Sequence, residues 1–239
     1  MKFVGDTKEY IYLETINNDN CDILKENIKS SLTILWFESD DNLFVIDGKA
    51  VTFSKNEIVF LTEFHKVVPK TIGDTRMLQF NRPFYCVLDH DTEVGCKGLL
   101  FFGAAQLPRI IIPKGDFYKF NTLWEMFTIE IKSTTDKLQI DMLQIMLKRY
   151  LILCARLYTI QKKETLGEPE VNVVREYNFF VEQHFKSKHT VAEYAALLHK
   201  SPKTLSNIFS KMGSKTPLQY IQERIMLEAR QHCTIQKSL

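Results

Sequence analysis

A chain of 239 residues that is 45% hydrophobic and 25% charged exceeds one average domain and is apolar enough to build real cores, which excludes a disordered chain and favours two domains. Its first twenty residues hold no apolar segment of the secretory kind, and no apolar run approaches the ~20 residues a membrane helix needs, so a cytoplasmic protein without membrane contact is expected. Net charge is only +2, yet residues 1–169 carry 21 basic and 23 acidic groups while residues 170–239 carry 10 and 6. The smaller part thus has the basic excess that a phosphate-binding surface requires, although a solvated helical face gives the same count. Cys21, Cys86, Cys96, Cys154 and Cys233 are scattered, with no CxxC pair, which suits a reducing compartment.

In chain order, Ser31–Glu38, Leu43–Asp47, Lys49–Phe53, Glu57–Leu61 and Arg76–Phe80 read as short strands with a period of two. Asp47-Gly48 lies between two of them, the pair a type I′ hairpin turn favours because both central residues need positive φ. Antiparallel strands at this spacing predict a sandwich or small barrel. The aromatics Trp36, Phe37, Phe53, Phe60, Phe80 and Tyr85 are candidates to line an effector pocket inside it, or are simply core.

After Pro113 helical spacing takes over. Phe120, Leu123, Trp124 and Phe127 share one face, and Thr128–Ile131 either extends that helix or breaks it. Ile140, Leu143, Leu147, Tyr150, Cys154 and Leu157 then recur at alternating steps of three and four, with a second apolar face through Met142, Ile145, Met146, Ile152 and Leu153. A helix with two apolar faces must pack on two things, one face on the strands and the other on the same helix of a second protomer or on the Phe120–Phe127 helix, and the stripe from Ile140 to Leu157 is expected to mark the dimer helix. Residues 162–170, with Gly167 and Pro169, form the natural linker between a 1–161 domain and a 171–239 domain.

Past the linker, Val174, Tyr177, Phe180, Val181 and Phe185 mark a supporting helix. Thr190 can cap the next, with Glu193 at the capping-box position. Ser201-Pro202 opens a third, an N-cap followed by proline at the first helical position. That helix buries Leu205, Ile208 and Phe209 and exposes Lys203, Thr204, Ser206, Asn207 and Lys211, short donors and long cations that can reach base edges and phosphates from the major groove.

From His189 to Arg230 the chain closely resembles the first helix-turn-helix and linker helix of AraC-family regulators: Ala195 and Leu198 in the first helix, Ser201-Pro202, Leu205-Ser206 and Phe209 in the second, Thr216-Pro217 opening the linker helix, and Arg224 with Glu228-Ala229 closing it. The resemblance implies a recognition helix over Pro202–Lys211, with Lys203, Thr204, Ser206 and Asn207 meeting bases, and Lys200, Ser201, Lys211 and Lys215 completing the DNA-contacting set, the lysines on phosphates. Upstream, Gln79–Phe84 leading into Cys86–Asp89, and Gly98–Gly103, look like the cupin-type sensor of the same family. The implied fold is an α+β multidomain chain: a cupin-like antiparallel β-barrel with dimerisation helices, then an all-α reader. The implied partners are double-stranded DNA, a second copy, an unidentified small-molecule effector and RNA polymerase, with activator as the family role. His199 stands where the family favours glycine, Lys200 replaces an apolar turn residue, and Gly213 lies one place early. The family has two helix-turn-helix units, and this sequence ends at Leu239, about where the second begins.

Enzymatic readings fare worse. None of His65, His90, His184, His189, His199 and His232 forms an HxH pair with a following Glu, and no GxSxG, HExxH, P-loop or dinucleotide glycine pattern occurs. Asp89-His90-Asp91 reads as a solvated turn. No metal, cofactor or catalytic residue is therefore expected. The remaining alternatives are a truncated relative that does not bind DNA and pairs with other regulators, and a small-molecule-binding cupin.

Overall fold

The computed structural model describes residues 1–6, 8–25, 31–63, 65–81, 83–85, 100–101, 107–133, 136, 138–163, 168–211 and 216–235, apart from the side chains of 162, 163, 168, 169, 171, 172, 175, 182 and 227–235. It divides into two units, Met1–Cys96 with Pro108–Tyr158, and Lys97–Leu107 with Thr159–Leu239.

The first unit is built on nine strands: β1 (Lys2–Val4), β2 (Tyr10–Ile16), β3 (Ser31–Phe37), β4 (Asn42–Ile46), β5 (Lys49–Phe53), β6 (Glu57–Thr62), β7 (Val67–Thr71), β8 (Thr75–Asn81) and β9 (Arg109–Ile111). They form a six-stranded sheet in the order β1-β2-β8-β3-β6-β9 and a three-stranded sheet in the order β5-β4-β7, with every pairing antiparallel. The described residues thus give an antiparallel β domain, and a closed cupin-like barrel is not shown by them. They make two separate sheets that face each other, and Phe37 of one stacks on Phe53 of the other with centroids 4.5 Å apart. β1, β2, β7 and β9 were not expected from the sequence. The β4–β5 turn is as expected, with Asp47 at φ 52° and Gly48 at φ 83°, in a pairing that sets Ile46 against Lys49.

β3 is buried along its whole length because both faces of the six-stranded sheet are covered. On one face Phe37 meets Phe44 and Phe53 of the smaller sheet. On the other, Trp36 sits edge-on to Phe117 and Phe120 of α1 (Phe117–Lys132), and Phe120 in turn touches Tyr150 of α2 (Gln139–Lys163). Arg76 rivets sheet to helix: it bonds Asn121 at 2.7 Å and Glu38 at 2.8 Å and lies against the rings of Trp36 and Trp124, so its charge is paired and its flat faces are covered. Thr128–Ile131 extends α1, which stops at Ser133.

The second unit contains α3 (Glu168–His184), α4 (Val191–Leu197), α5 (Pro202–Lys211) and α6 (Pro217–Ile235). Since α2 runs to Lys163 and α3 starts at Glu168, helix occupies both ends of the linker expected over 162–170. No helix among the described residues is long and apolar enough to cross a membrane.

Candidate nucleic-acid interface

The helical core around Tyr177 positions the face of interest. Tyr177 is fully buried, its ring against Phe209 of α5 at 4.9 Å, Tyr194 of α4 at 5.6 Å and Tyr220 of α6 at 6.5 Å. Its hydroxyl donates to the carbonyl of Pro217 at 2.7 Å, and burial raises its pKa, which keeps the hydroxyl a donor. One side chain on α3 therefore holds three other helices in register. Leu205 and Ile208 of α5 join the same core with Val174, Val181 and Ile221.

Each helix boundary has a local cause. Thr190 caps α4: its hydroxyl accepts from the Glu193 amide, while the Glu193 carboxylate accepts from the amides of Thr190 at 2.9 Å and His189 at 3.0 Å. These bonds, from the Thr190 hydroxyl first and then the two amides, pull the Glu193 carboxyl down to about 2. At the other end, Lys200 N–H donates to Ala195 O and His199 N–H to Ala196 O, with His199 left-handed at φ 52°. This is the Schellman closure that glycine usually serves, here made by histidine. The chain then turns straight into α5, where Ser201 caps the Thr204 amide at 3.0 Å and Pro202 takes the first helical position.

With Leu205, Ile208 and Phe209 inside, the open face of α5 presents Lys203, Thr204, Ser206, Asn207, Ser210 and Lys211, all exposed, with Lys200 and Ser201 exposed at its entrance. The structure thus brings together seven of the eight residues expected to contact DNA, and Lys215 lies outside the described residues. Two pairings were not foreseen. The hydroxyls of Ser201 and Thr204 bond each other at 2.8 Å, so both are already engaged at the cap, and Lys211 is ion-paired with Glu170 of α3. Partners 41 positions apart leave no trace in periodicity. Among the described residues, the cations of this face with no such engagement are Lys200 and Lys203, and Ser206 and Asn207 supply the uncharged donors between them.

The other expected site residues separate. Strand alternation puts Trp36, Phe60 and Phe80 on the face of the large sheet under α1, with Tyr85 beside Phe80 at 6.5 Å, whereas Phe37 and Phe53 lie between the sheets. All six are buried, and they cannot line one pocket because a sheet stands between the two groups. The α2 stripe of Leu143, Leu147, Tyr150, Cys154 and Leu157 is buried within the chain, with Ile140 half-buried, so it is the inward face of the helix and not a surface for a partner. Met142 and Ile145, on the second apolar face, are 44% and 63% exposed. His65 is in the β6–β7 connection and buried, its Nδ1 accepting from the Thr62 amide at 3.0 Å. His90 falls outside the described residues, and among those described no three His, Cys, Asp or Glu gather as a metal site would require.

No protein-family model and no curated protein matches this chain. Its structural neighbours include AraC-like regulators. The AraC-like transcriptional activator CuxR aligns with 92% of this chain and 73% of its own, at 13% identity and a TM-score of 0.36. ToxT from Vibrio cholerae aligns with 95% of this chain and 80% of its own, at 10% identity and 0.37. Unsaturated-fatty-acid-bound ToxT from Vibrio cholerae strain SCE256 aligns over 93% and 78%, at 12% and 0.38. Overlap this loose leaves the functional argument to the chain's own residues.

Proposed function

We propose that the chain is a sequence-specific DNA-binding transcription regulator of the AraC type, acting in the cytoplasm as a non-enzyme. The observation that carries this is the open face of α5, where Lys203, Ser206 and Asn207 stand exposed on a helix whose opposite side is anchored by Leu205, Ile208 and Phe209. A capped helix, a tight left-handed turn and a second capped helix hold such a face rigidly enough to enter a major groove. Lys203 and Asn207 read base edges, while Lys200 and Lys215 position phosphates.

Regulation follows from the first unit, which carries the effector site, and from pairing of two chains that address half-sites about one DNA turn, ~34 Å, apart. The surface for pairing is the open side of α2. A two-fold axis at Ile145 sets antiparallel helices with Asp141 opposite the partner's Arg149, both exposed, and Leu138, 65% exposed, opposite the partner's Ile152. The patch is thereby complementary to itself in charge and in apolar surface, as a symmetric interface requires. Bound as a pair, the protein acts on RNA polymerase at the promoter.

The test is selection of genomic DNA fragments by the purified chain at low and high salt. A defined enriched site, lost steeply as salt rises, supports the reading. Lys203→Ala should then cost about 1–3 kcal/mol on that site, whereas Lys200→Ala should weaken all DNA alike and lower the salt slope by about one. Equal losses on specific and nonspecific DNA for both variants would overturn these roles, and no enrichment at either salt would overturn the reading.

A further inference from the structure

Three buried side chains fix which way α5 faces. With Leu205, Ile208 and Phe209 inside, a turn of 3.6 residues places Lys203, Asn207 and Ser210 within about 60° of one another on the opposite side, where they form its crest. Thr204 and Lys211 share one flank, and Ser206 lies on the other. The Thr204 hydroxyl is bonded to that of Ser201 at 2.8 Å and Lys211 is paired with Glu170, so the polar groups of that flank are already committed within the protein. All three crest residues are exposed.

The crest side chains differ in what they recognise. An ammonium only donates, and the base that sets two acceptors side by side in the major groove, N7 and O6, is guanine. A carboxamide donates and accepts at once, and the base with an acceptor beside a donor, N7 and the N6 amine, is adenine. A serine hydroxyl does either, so Ser206 and Ser210 add contact without selecting a base. The shortness of Ser206, Asn207 and Ser210 lets the middle of α5 lie close to base edges, while the long arm of Lys203 reaches them from the N-terminal end, where recognition helices meet bases. Lys203 and Asn207 are one helical turn apart, about 6 Å along the axis, against about 3.4 Å between successive base pairs. The two bases they meet are therefore no more than about two steps apart.

We infer that α5 selects a guanine through Lys203 and an adenine through Asn207, one or two base pairs apart, and that Thr204 and Lys211 select no base. The inference rests on the regulator reading and deepens it by assigning the core of each half-site to two named side chains.

The test starts from the site that the purified full chain enriches out of a random DNA pool. Exchanging the guanine pair or the adenine pair of that site should each lower affinity about 5- to 150-fold. Placing 7-deazaguanine at the guanine, which removes only the N7 acceptor, should weaken the wild type about threefold or more and leave Lys203→Ala unaffected. In the same way, 7-deazaadenine should weaken the wild type and leave Asn207→Ala unaffected. Lys211→Ala should keep the preference at both pairs. The substituted side chains are exposed, and circular dichroism checks that the variants keep their helices. Deaza bases felt equally by the wild type and the matching variant, a crossed pattern in which Asn207→Ala loses the guanine effect, sensitive pairs more than two steps apart, or a base preference lost in Lys211→Ala would each overturn the assignment and leave DNA recognition standing. Failure to enrich any site would instead sink the regulator reading, and the assignment with it.

Discussion

In α2 the side chains left in solvent include Met142 and Ile145, at 44% and 63% exposure, whereas in α5 they are Lys203, Thr204, Ser206, Asn207 and Lys211. Both helices bury one apolar stripe in their own unit, so their inward faces follow the same rule. The difference lies outward. Apolar surface left in water is stabilised by covering it with something equally apolar, while short donors among cations suit a wet, negatively charged groove. An inward stripe therefore reports the fold, and the composition of the outward face reports the partner.

The contrast breaks first if the inward faces are not what holds each helix. Tyr177→Ala removes the ring on which α4, α5 and α6 converge and the bond to Pro217. A buried aromatic truncated to alanine costs about 3–5 kcal/mol, comparable to the whole stability of a small domain. Chemical denaturation should show the helical unit largely unfolded and DNA retention lost, with the sheet unit's near-UV signal kept. A midpoint shift corresponding to less than about 1 kcal/mol would mean the cluster is not the keystone.

Next in size is Ile145→Lys. The residue is open within one chain, so Tm at low concentration should hardly move, while a symmetric pairing loses two apolar contacts and gains two facing cations. Analytical ultracentrifugation should show association weakened by about 2 kcal/mol or more, a rise of over tenfold in Kd. An unchanged dimer would place the pairing surface elsewhere, and a wild-type monomer would remove pairing from the proposed mechanism.

The same contrast accounts for what the sequence made legible. α4, its turn and α5 could be read almost residue by residue because each signal is local: Thr190 with Glu193, Ser201 with Pro202, and the three-four spacing of Leu205, Ile208 and Phe209. The β4–β5 hairpin was legible for the same reason at Asp47-Gly48. β2 was missed although Tyr10–Ile16 is rich in aromatic and β-branched residues ahead of an asparagine-rich turn, the very signal that found β3. β1 and β9 are three residues each, too short for a period to show. The grouping of six aromatics into one pocket failed because alternation assigns faces only once pairing is known, and that is set by long-range register, Thr33 against Gln79 and Leu61. The heptad stripe failed as a partner surface because periodicity finds a buried face without saying who buries it. Glu170 on Lys211 is tertiary and had no local sign at all.

His199 tests how closely the turn follows the local rule. A left-handed backbone costs an L-residue about 1–2 kcal/mol that glycine avoids, and glycine gives back about half of it through chain entropy. His199→Gly should therefore raise stability by less than about 1 kcal/mol, read as a higher denaturant midpoint of the helical unit, with DNA retention unchanged. Loss of retention would instead make the exposed imidazole part of the reading face.

The smallest effect concerns the cap that starts α4. Glu193 is half-buried, and its carboxyl is held down to about 2 from an ordinary 4.5 by the Thr190 hydroxyl and the amides of His189 and Thr190. A carboxylate depressed by folding contributes stability that is fully present above its unfolded value and is lost as pH falls through the folded one, so the window runs from 4.5 down to about 2. Other carboxylates titrate across the same range, and the informative quantity is the difference between wild type and Glu193→Gln, which keeps an acceptor but has no charge to lose. In that difference, the protection of the His189 and Thr190 amides relative to their unstructured exchange rates should fall with acid in the wild type and stay flat in the variant. Identical acid dependence in both would mean that the Thr190 hydroxyl caps the helix unaided and that the carboxylate, though bonded, adds nothing to the rigidity with which α4 delivers the turn to α5.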